Sequence, residues 1–314
     1  MKIVLANMDY RTHMTSEGNE FQLGLEQAGW TLTGIGFDDR RDVPELLRHY
    51  KPEAIIVHDK RDWDPHSGIC YRGGIDFKQL GALASYDAMK FAVVKDAGSS
   101  IDYHRRFCEE IQADAVITYY HESAVTKLSP WMCEYELIRT YHSVDSDLTS
   151  MIEINKPRQC AIVSGATSQV YPLRNMVIDR AGDIGCRVLR FPGYGNGRCY
   201  TPSYLREISE YRVHIATASA FQFALRKIIE SVAVGTTPVT NLPTWDILPQ
   251  SDEALVRVSE NADWREVRDA VDYAERTWNS EERAYFAAKA NHFYDYRALG
   301  ARLSQLIAKV PIVA

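Results

Sequence analysis

Short apolar runs rich in Val and Ile alternate along this chain with longer amphipathic segments. Apolar runs of this length predict strands that are buried on both faces, and the segments between them predict helices. The alternation is typical of a parallel α/β sheet. In the first half of the chain we expect strands at 2–6, 31–36, 54–58, 91–95, 115–119 and 139–142, with helices at 17–28, 43–50, 77–89 and 103–111.

The same pattern begins again after a polar stretch at 145–158. It predicts strands at 159–164, 186–191, 213–216, 237–241 and 254–258, helices at 174–181, 204–210 and 223–234, and a helical tail over 263–308. We therefore expect two Rossmann-like, doubly wound parallel-sheet domains facing across a cleft. The domains would cover residues 1–148 and 149–314, with C-terminal helices that can pack back on the first domain. Ligands of such folds bind beyond the carboxyl ends of the strands.

The composition excludes several classes of protein. The net charge is −6, from 36 basic and 42 acidic side chains, which argues against a protein that lives on nucleic-acid phosphates. No stretch approaches 18 uninterrupted apolar residues, so no membrane span is expected. The six cysteines are scattered without a C-x-x-C pair, which is typical of reduced thiols and not of a zinc site. These features together predict a cytoplasmic protein.

Motifs for common cofactors are absent or weak. Asn7-Met8-Asp9-Tyr10 follows the first strand where a dinucleotide fold would carry G-x-G-x-x-G, which disfavours a dehydrogenase. Two carboxylate triplets, Asp62-Trp63-Asp64 and Asp145-Ser146-Asp147, can in principle hold a divalent metal. Such triplets are common in acidic loops and turns, so we expect solvated carboxylates and no metal site. The glycine cluster at 193–197 is expected to form a rim loop, because no helix start follows it directly.

The most informative segment runs from Lys227 to Thr240. It predicts a helix closed by Gly235 and then a turn with Pro238 into a buried strand. Lys227 and Glu230 stand three apart and so share a helix face. They can form a surface ion pair. Alternatively, Glu230 can accept the two ribose hydroxyls of a nucleotide while Lys227 faces its phosphates.

The spacing K-x-x-E-x-x-A-x-G-x-x-P-V in this segment resembles the donor-site motif of group 1 glycosyltransferases with the GT-B fold. Other segments resemble, in order, the spore-maturation (CgeB-like) branch of that family. They are His142-Ser143-Val144-Asp145, Ser164-Gly165, Tyr171-Pro172-Leu173-Arg174, Phe191-Pro192-Gly193-Tyr194, Glu281-Glu282-Arg283 and His292-Phe293-Tyr294-Asp295-Tyr296-Arg297. The resemblance covers about residues 139–300, and the first half of the chain matches in architecture only.

The resemblance implies a nucleotide-sugar donor site in the second domain. Glu230 would bind the donor ribose, and the backbone around Gly235 and Thr236 would lie near the diphosphate. The family often has a second Glu, eight residues earlier, that contacts the transferred sugar; this chain has Gln222 there. The negative charge that grows on a departing diphosphate needs cations and N–H groups, for which Arg174, Lys227 and the loop at Gly165 are the candidates. We expect a UDP-sugar as co-substrate, no cofactor and a metal-independent site.

The first domain is expected to bring the acceptor. Strand ends place Asp9, His58, Asp59 and Glu122 on the acceptor side of the cleft. Two further residues, Asp96 and His121, are alternative general bases if the reaction inverts the sugar. Each has a structural alternative, since Asp commonly caps helices and a His at a rim is commonly hydrogen-bonded.

The sequence therefore predicts a glycosyltransferase that moves a sugar to an acceptor hydroxyl. Two alternatives stay open, namely a nucleotide-sugar epimerase on the same fold and a non-catalytic protein that binds a nucleotide sugar or a glycan. The acidic charge balance favours a glycan, a small molecule or a protein as acceptor and disfavours a modified base in DNA.

Overall fold

The computed structural model describes residues 1–6, 16–34, 41–58, 77–95, 97–98, 101–154, 158–190 and 201–311. The chain divides into two compact units. Unit 1 consists of Met1–Tyr141 and Arg297–Ala314, and unit 2 of His142–Tyr296. Each unit is built on one parallel sheet, which confirms the predicted fold class.

The sheet of unit 1 has six strands in its described part. In sheet order they are β2, β1, β3, β4, β5 and β6, and every neighbouring pair is parallel. Strand β3 is buried at every residue, as expected for a sheet covered on both faces. The strands are β1 (Lys2–Ala6), β2 (Thr31–Thr33), β3 (Ala54–His58), β4 (Met89–Val94), β5 (Ala115–Thr118) and β6 (Glu136–Arg139).

In the described part of unit 1, five α-helices precede the chain's passage into unit 2: α1 (Ser16–Gln27), α2 (Val43–Tyr50), α3 (Phe77–Ala84), α4 (Ile101–Ile111) and α5 (Glu122–Leu128). Capping interactions at its two ends set the bounds of α2. The Asp42 side chain accepts a hydrogen bond from the backbone N–H of Glu45, and the Glu45 carboxylate accepts one from the Asp42 N–H. This capping box starts the helix, and Lys51 ends it in the left-handed conformation.

The edge strand of unit 1 lies three residues earlier than predicted. The sequence pattern placed it at 139–142, and the structure has it at Glu136–Arg139. The register explains the difference, because Ala115 pairs with Glu136 and Thr118 with Arg139, which uses the whole length of β5. An edge strand has one neighbour, so the length of that neighbour decides where it begins and ends.

Unit 2 contains five described strands in the order β11, β10, β9, β7, β8, and all neighbouring pairs are parallel. Its strands are β7 (Arg158–Ser164), β8 (Cys186–Leu189), β9 (Tyr211–Ile215), β10 (Thr237–Thr240) and β11 (Val256–Arg257). Its helices are α6 (Ser146–Thr149), α7 (Pro172–Asp179), α8 (Ala181–Ile184), α9 (Thr201–Ser209), α10 (Arg226–Ala233), α11 (Trp264–Thr277) and α12 (Ser280–Tyr294).

Side-chain alternation along β7 gives unit 2 two different faces. Val163 belongs to an apolar cluster that includes Val267 and Val271 of α11. Ile162 belongs to another cluster, which includes Leu205 of α9. Because successive side chains of a strand point to opposite faces, Ser164 shares the face of Ile162. A polar side chain at the end of β7 is thereby directed towards the helices on the α9 side.

The predicted helical tail is three helices. The Asp263 side chain caps α11 and the Asn279 side chain caps α12. The third, α13 (Tyr296–Ile307), packs in unit 1, where Gly300 lies against Gly24 of α1 and Ser304 accepts a hydrogen bond of 3.1 Å from the indole of Trp30. No helix in the described ranges combines the length and apolar character needed to cross a bilayer.

Two segments singled out by the sequence lie side by side in unit 2. The backbone N–H of Val144 donates to the carbonyl of Tyr294 at 2.9 Å, and the N–H of Tyr296 donates to the carbonyl of Val144 at 3.1 Å. Next to them, Asp145 accepts a hydrogen bond from the N–H of Asp147 at 3.0 Å and caps α6. This carboxylate triplet is therefore part of a helix start, in keeping with the turn interpretation.

Candidate functional site

In the sheet of unit 2, the order in which strands are added reverses between β7 and β9. From β7 the chain crosses to β8 on one side, and it then returns to place β9 on the other side. A parallel sheet opens a crevice at such a switch point, beyond the carboxyl ends of the two strands. Gly165 follows β7 there and Ala216 follows β9. The candidate site therefore lies at this edge of unit 2.

Two cationic side chains converge on Gly165. Its φ is +116°, a conformation that favours glycine. A Cβ at this position would lie 2.1 Å from Nζ of Lys227 and 2.9 Å from Nη1 of Arg174. Both groups thus occupy the space that a side chain would take. Gly165, Arg174 and Lys227, which the sequence analysis grouped together, are therefore neighbours in the structure.

Arg174 lies in the first turn of α7, which begins at Pro172, where proline is favoured in a helix. The side chain is buried, with 1% of its residue surface exposed. Nη1 donates a hydrogen bond of 2.9 Å to the carbonyl of Ala166. The guanidinium carbon lies 3.9 Å from the centre of the Tyr171 ring, within the range of a cation–π contact. Arg174 is thus fixed over the loop that follows β7.

Lys227 lies in the first turn of α10, and its Nζ donates a hydrogen bond of 2.8 Å to the carbonyl of Ser164. Burial lowers the pKa of Lys227 to about 7, and the positive charge of Arg174 contributes to this shift, while Glu230 acts in the opposite direction. Leu225 at the N-cap position of α10 provides no side-chain hydrogen bond to the helix. The helix start and the two cations together suit an anion.

Glu230 pairs with Arg226 and not with Lys227. The Arg226 Nε donates to Glu230 Oε1 at 2.8 Å, and both side chains are largely buried. Arg226 and Glu230 are four residues apart, a spacing that places them on the same helix face and could have indicated the pair. The prediction from the motif did not include Arg226. The Glu230 carboxylate thus has its cationic partner one turn earlier on the same helix, whereas Lys227 bonds to the carbonyl of Ser164.

A chain of buried polar side chains lies beneath Lys227, and the sequence motifs did not identify it. The imidazole of His214 in β9 lies between two hydroxyls. Its Nε2 is 2.9 Å from Ser164 Oγ, and its Nδ1 is 2.6 Å from Ser231 Oγ. The Tyr204 hydroxyl lies 3.3 Å from Ser164 Oγ. Burial lowers the pKa of His214 well below its ordinary value, with Lys227 and Arg174 adding to the effect.

Gln222 lies in a tight turn after β9. Its φ is +61°, and its N–H donates to the carbonyl of Ser219 at 2.9 Å. The hydroxyl of Ser219 accepts hydrogen bonds from the N–H groups of Phe221 and Phe223. A non-glycine residue in this left-handed region is uncommon, and the turn around Ser219 holds it there.

Gly235 and Thr236 lie at the other end of α10, before β10 begins. The N–H of Gly235 donates to the carbonyl of Val232, and the N–H of Thr236 donates to that of Ser231. With a φ of +75° at Gly235, these bonds form a Schellman C-cap. The Thr236 hydroxyl lies 3.2 Å from the backbone carbonyl oxygens of both Ile208 and Tyr211 and donates its one hydrogen between them. The structure therefore does not bring these two residues to the Lys227 end of the helix.

In unit 1, His121 caps α5, and its Nδ1 accepts a hydrogen bond of 3.1 Å from the N–H of Ser123. Glu122 is exposed in the first turn of that helix. The ring of His58, at the end of β3, is buried and meets the Phe21 ring edge-on at 5.2 Å. Asp9, Asp59, Asp96 and the glycine cluster at 193–197 lie outside the described residues.

Comparison with known proteins reveals relatives in structure only. No protein-family model matches the sequence, and no curated protein matches it. Sucrose-phosphate synthase from Thermosynechococcus elongatus aligns over 99% of both chains with a TM-score of 0.58 at 10% identity. HepE from Anabaena, solved with UDP and glucose, aligns over 98% of this chain and 100% of its own, with a TM-score of 0.58 at 9% identity. The lipopolysaccharide outer core galactosyltransferase WaaB aligns over 98% and 100%, with a TM-score of 0.57 at 10% identity.

The chain has the GT-B glycosyltransferase fold. At 9–10% identity this likeness shows the fold alone. The chemistry of the site depends on this chain's own residues.

The cluster in unit 2 is suited to binding a multiply charged anion. Two cations converge at the end of β7, the start of α10 faces the same edge, and the Glu230 carboxylate is already paired with Arg226. Partly desolvated cations attract an anion more strongly than exposed ones, because water screens them less. The carboxylate of Glu230 lies one helical turn from Lys227 and can accept hydrogen bonds from hydroxyl groups.

Proposed function

We propose that this protein is a glycosyltransferase that moves a sugar from a nucleotide-sugar donor to an acceptor hydroxyl without a divalent metal. The observation that carries the proposal is the convergence of Lys227 Nζ and Arg174 Nη1 on Gly165, at the switch point of the unit 2 sheet. The GT-B fold supports it, since solved proteins with the same fold include glycosyltransferases.

The two cations would hold the donor diphosphate. When the glycosidic bond to the diphosphate breaks, negative charge grows on the leaving phosphate oxygen. Lys227 and Arg174 are positioned before the reaction begins, and fixed cations of this kind stabilise the developing charge. Only one of the three N–H donors of the ammonium group is directed at Ser164, so the others can bind phosphate oxygens. The cations would thereby take the place of a divalent metal.

Glu230 would accept the two ribose hydroxyls. The hydrogen bond from Arg226 occupies one position on Oε1, and a carboxylate offers about four acceptor positions. The same bond holds the carboxylate in one orientation. Glu230 is 6% exposed, so hydroxyls that reach it leave water and meet an acceptor whose direction is already set.

We infer that the donor is a UDP-sugar. HepE, which shares the fold, has been solved with UDP-glucose. Gln222 stands where the family resemblance places a Glu against the transferred sugar, and its amide can both donate to and accept from sugar hydroxyls. The sequence motifs that resemble the CgeB-like branch support the same donor site.

We further propose that the acceptor binds to unit 1. His121 is poorly suited to act as the general base through Nε2, because Nδ1 accepts a backbone hydrogen bond and the neutral ring therefore carries its proton on Nε2. A glycan, a small molecule or a protein remains the proposed acceptor. Asp96 remains the base predicted from the sequence.

Titration calorimetry with UDP tests the donor site. Wild type is expected to bind UDP, and Lys227→Met is expected to weaken binding about tenfold or more through the loss of a charge-assisted hydrogen bond. The matched control is Lys289→Met, since Lys289 on α12 pairs with Glu253 and should leave UDP affinity unchanged. Absence of UDP binding by wild type, or equal losses in both variants, contradicts the proposal.

A second measurement separates transfer from the alternatives. Wild type is incubated with UDP-glucose, alone and with pools of glycan, small-molecule and protein acceptors. Release of UDP that depends on an acceptor supports transfer. Interconversion of UDP-sugars without an acceptor would identify an epimerase, and binding without turnover would identify a binding protein.

A further inference from the structure

His214 lies at the centre of a hydrogen-bonded relay. The relay connects the backbone carbonyl of Lys227 to the side-chain ammonium group of the same residue. Ser231 Oγ bonds to the carbonyl of Lys227, and His214 bonds to Ser231. On its other side His214 bonds to Ser164, whose carbonyl accepts the hydrogen bond from Lys227 Nζ. The relay joins β7, β9 and α10, and it closes into a ring that begins and ends at Lys227.

The direction of every hydrogen bond in this ring follows from one contact. Ser231 has a single hydroxyl hydrogen, which it donates to the carbonyl of Lys227. Towards His214 the same oxygen can only accept, so Nδ1 of His214 carries a proton. The neutral imidazole then has no proton on Nε2, and that nitrogen accepts from the hydroxyl of Ser164. The Tyr204 hydroxyl accordingly donates to Ser164 Oγ.

The surroundings of His214 favour its neutral imidazole form. His214 is 0% exposed, and burial together with the cations Lys227 and Arg174 holds its pKa below the ordinary range. From α9, the Tyr204 hydroxyl reaches the relay through Ser164, and burial with the nearby Glu230 raises the pKa of that phenol. The relay therefore contains no charged group between Ser231 and Ser164, and it keeps one arrangement of protons.

We propose that His214 is a positioning residue, which acts through Ser164 to hold Lys227 Nζ above Gly165 where the donor diphosphate binds. The inference rests on the proposed function for the identity of the anion. His214 does not touch the donor. It fixes the hydroxyl of Ser164, and with it the end of β7 whose carbonyl receives the ammonium group of Lys227.

Two substitutions of His214 separate this role from simple packing. The amide of Gln extends to the place of Nε2 and can accept the hydrogen bond of Ser164. The amide of Asn extends only to the place of Nδ1 and can donate to Ser231. Both remove the ring and should lower the unfolding temperature by similar amounts. UDP affinity is expected to stay within about threefold in His214→Gln and to fall about tenfold in His214→Asn.

A double-mutant cycle with Lys227→Met completes the experiment. If His214 acts through Lys227, His214→Asn costs no further UDP affinity once Lys227 is replaced. Equal losses of affinity in His214→Gln and His214→Asn, or additive losses in the cycle, overturn the inference.

A ligand-free measurement keeps the inference separate from the proposed function. NMR titration of the Lys227 side chain is expected to give a pKa of about 7 in wild type and a similar midpoint in His214→Gln. In His214→Asn the midpoint should move towards the ordinary lysine value. Identical midpoints in all three proteins overturn the positioning role. If wild type fails to bind UDP but the midpoints differ as expected, the donor assignment fails and the relay stands.

Discussion

Burial beside a second cation changes what Lys227 can do near neutral pH. An ordinary lysine is fully charged there, whereas burial and the neighbouring Arg174 lower the pKa of Lys227 to about 7. A lysine with this pKa is only partly protonated near pH 7. A bound diphosphate would favour the charged form, so binding and protonation are coupled.

The coupling predicts the direction of the pH dependence. An anion that prefers the protonated lysine raises its pKa, so UDP binding takes up protons near pH 7. As the pH rises from 7.5 to 9.5, UDP affinity should fall, approaching about tenfold per pH unit. Lys227→Arg keeps its charge over this range and should lose the slope. Calorimetry at several pH values measures both proteins, and equal slopes would contradict the coupling.

Among the elements, α10 carries the site at one end only. Its first turn places Lys227 at the carboxyl edge of the sheet, and its last turn closes on Gly235 at the amino edge. The bounds of α2 were predicted correctly at 43–50, where a capping box sets the start of the helix. Helix α7 begins at Pro172, two residues before the predicted start at 174. The bounds of β6 could not be predicted, because the length of β5 decides them.

Gly165 and Gly235 lie near opposite ends of α10, so replacing each by alanine should have different effects on UDP binding. Gly165→Ala places a methyl group against Lys227 Nζ and Arg174, and Gly235→Ala places one 2.7 Å from a side-chain carbon of Ile154. Both residues have positive φ, so each substitution should cost about 1–3 kcal/mol of unfolding free energy.

Only Gly165→Ala should also weaken UDP binding, about tenfold or more, because it displaces the ammonium group. Thermal unfolding and titration calorimetry measure the two effects. Gly182→Ala, with open space around the new methyl group, is the control for both. A comparable loss of UDP affinity in Gly235→Ala would place Gly235 at the donor after all.

For the molecule as a whole, the chain returns to unit 1 after completing unit 2. Helix α13 buries Leu299, Leu303 and Ile307, and it lies so close to α1 that Gly300 contacts the backbone of Gly24. The helical pattern of the tail could be predicted from its apolar spacing. The sequence analysis also allowed C-terminal helices to pack back on the first domain, but which helix does so depends on this long-range fit, which periodicity does not encode.

Replacing Gly300 tests that fit. A Cβ there would lie 2.1 Å from the carbonyl oxygen of Gly24, and the backbone of α1 cannot move aside cheaply. Gly300→Ala should cost about 1–3 kcal/mol, which lowers the unfolding temperature by several degrees. Gly81→Ala in α3, where the methyl group meets open space, should leave stability unchanged or raise it by up to about 1 kcal/mol. UDP affinity should be unaffected in both, and equal unfolding temperatures for the two variants would refute the close fit.

The sequence by itself determined the class of fold and the identity of the segment that carries the proposed donor residues. Buried parallel strands require apolar runs, helices between them require amphipathic ones, and Gly235 marks the end of α10 through its backbone conformation. Only the tertiary structure decided which groups meet. Lys227 bonds to a carbonyl 63 residues earlier, and Ser164 bonds to an imidazole 50 residues later. These contacts join elements that are distant in the chain and adjacent at a switch point, and local sequence patterns carry no record of such neighbours.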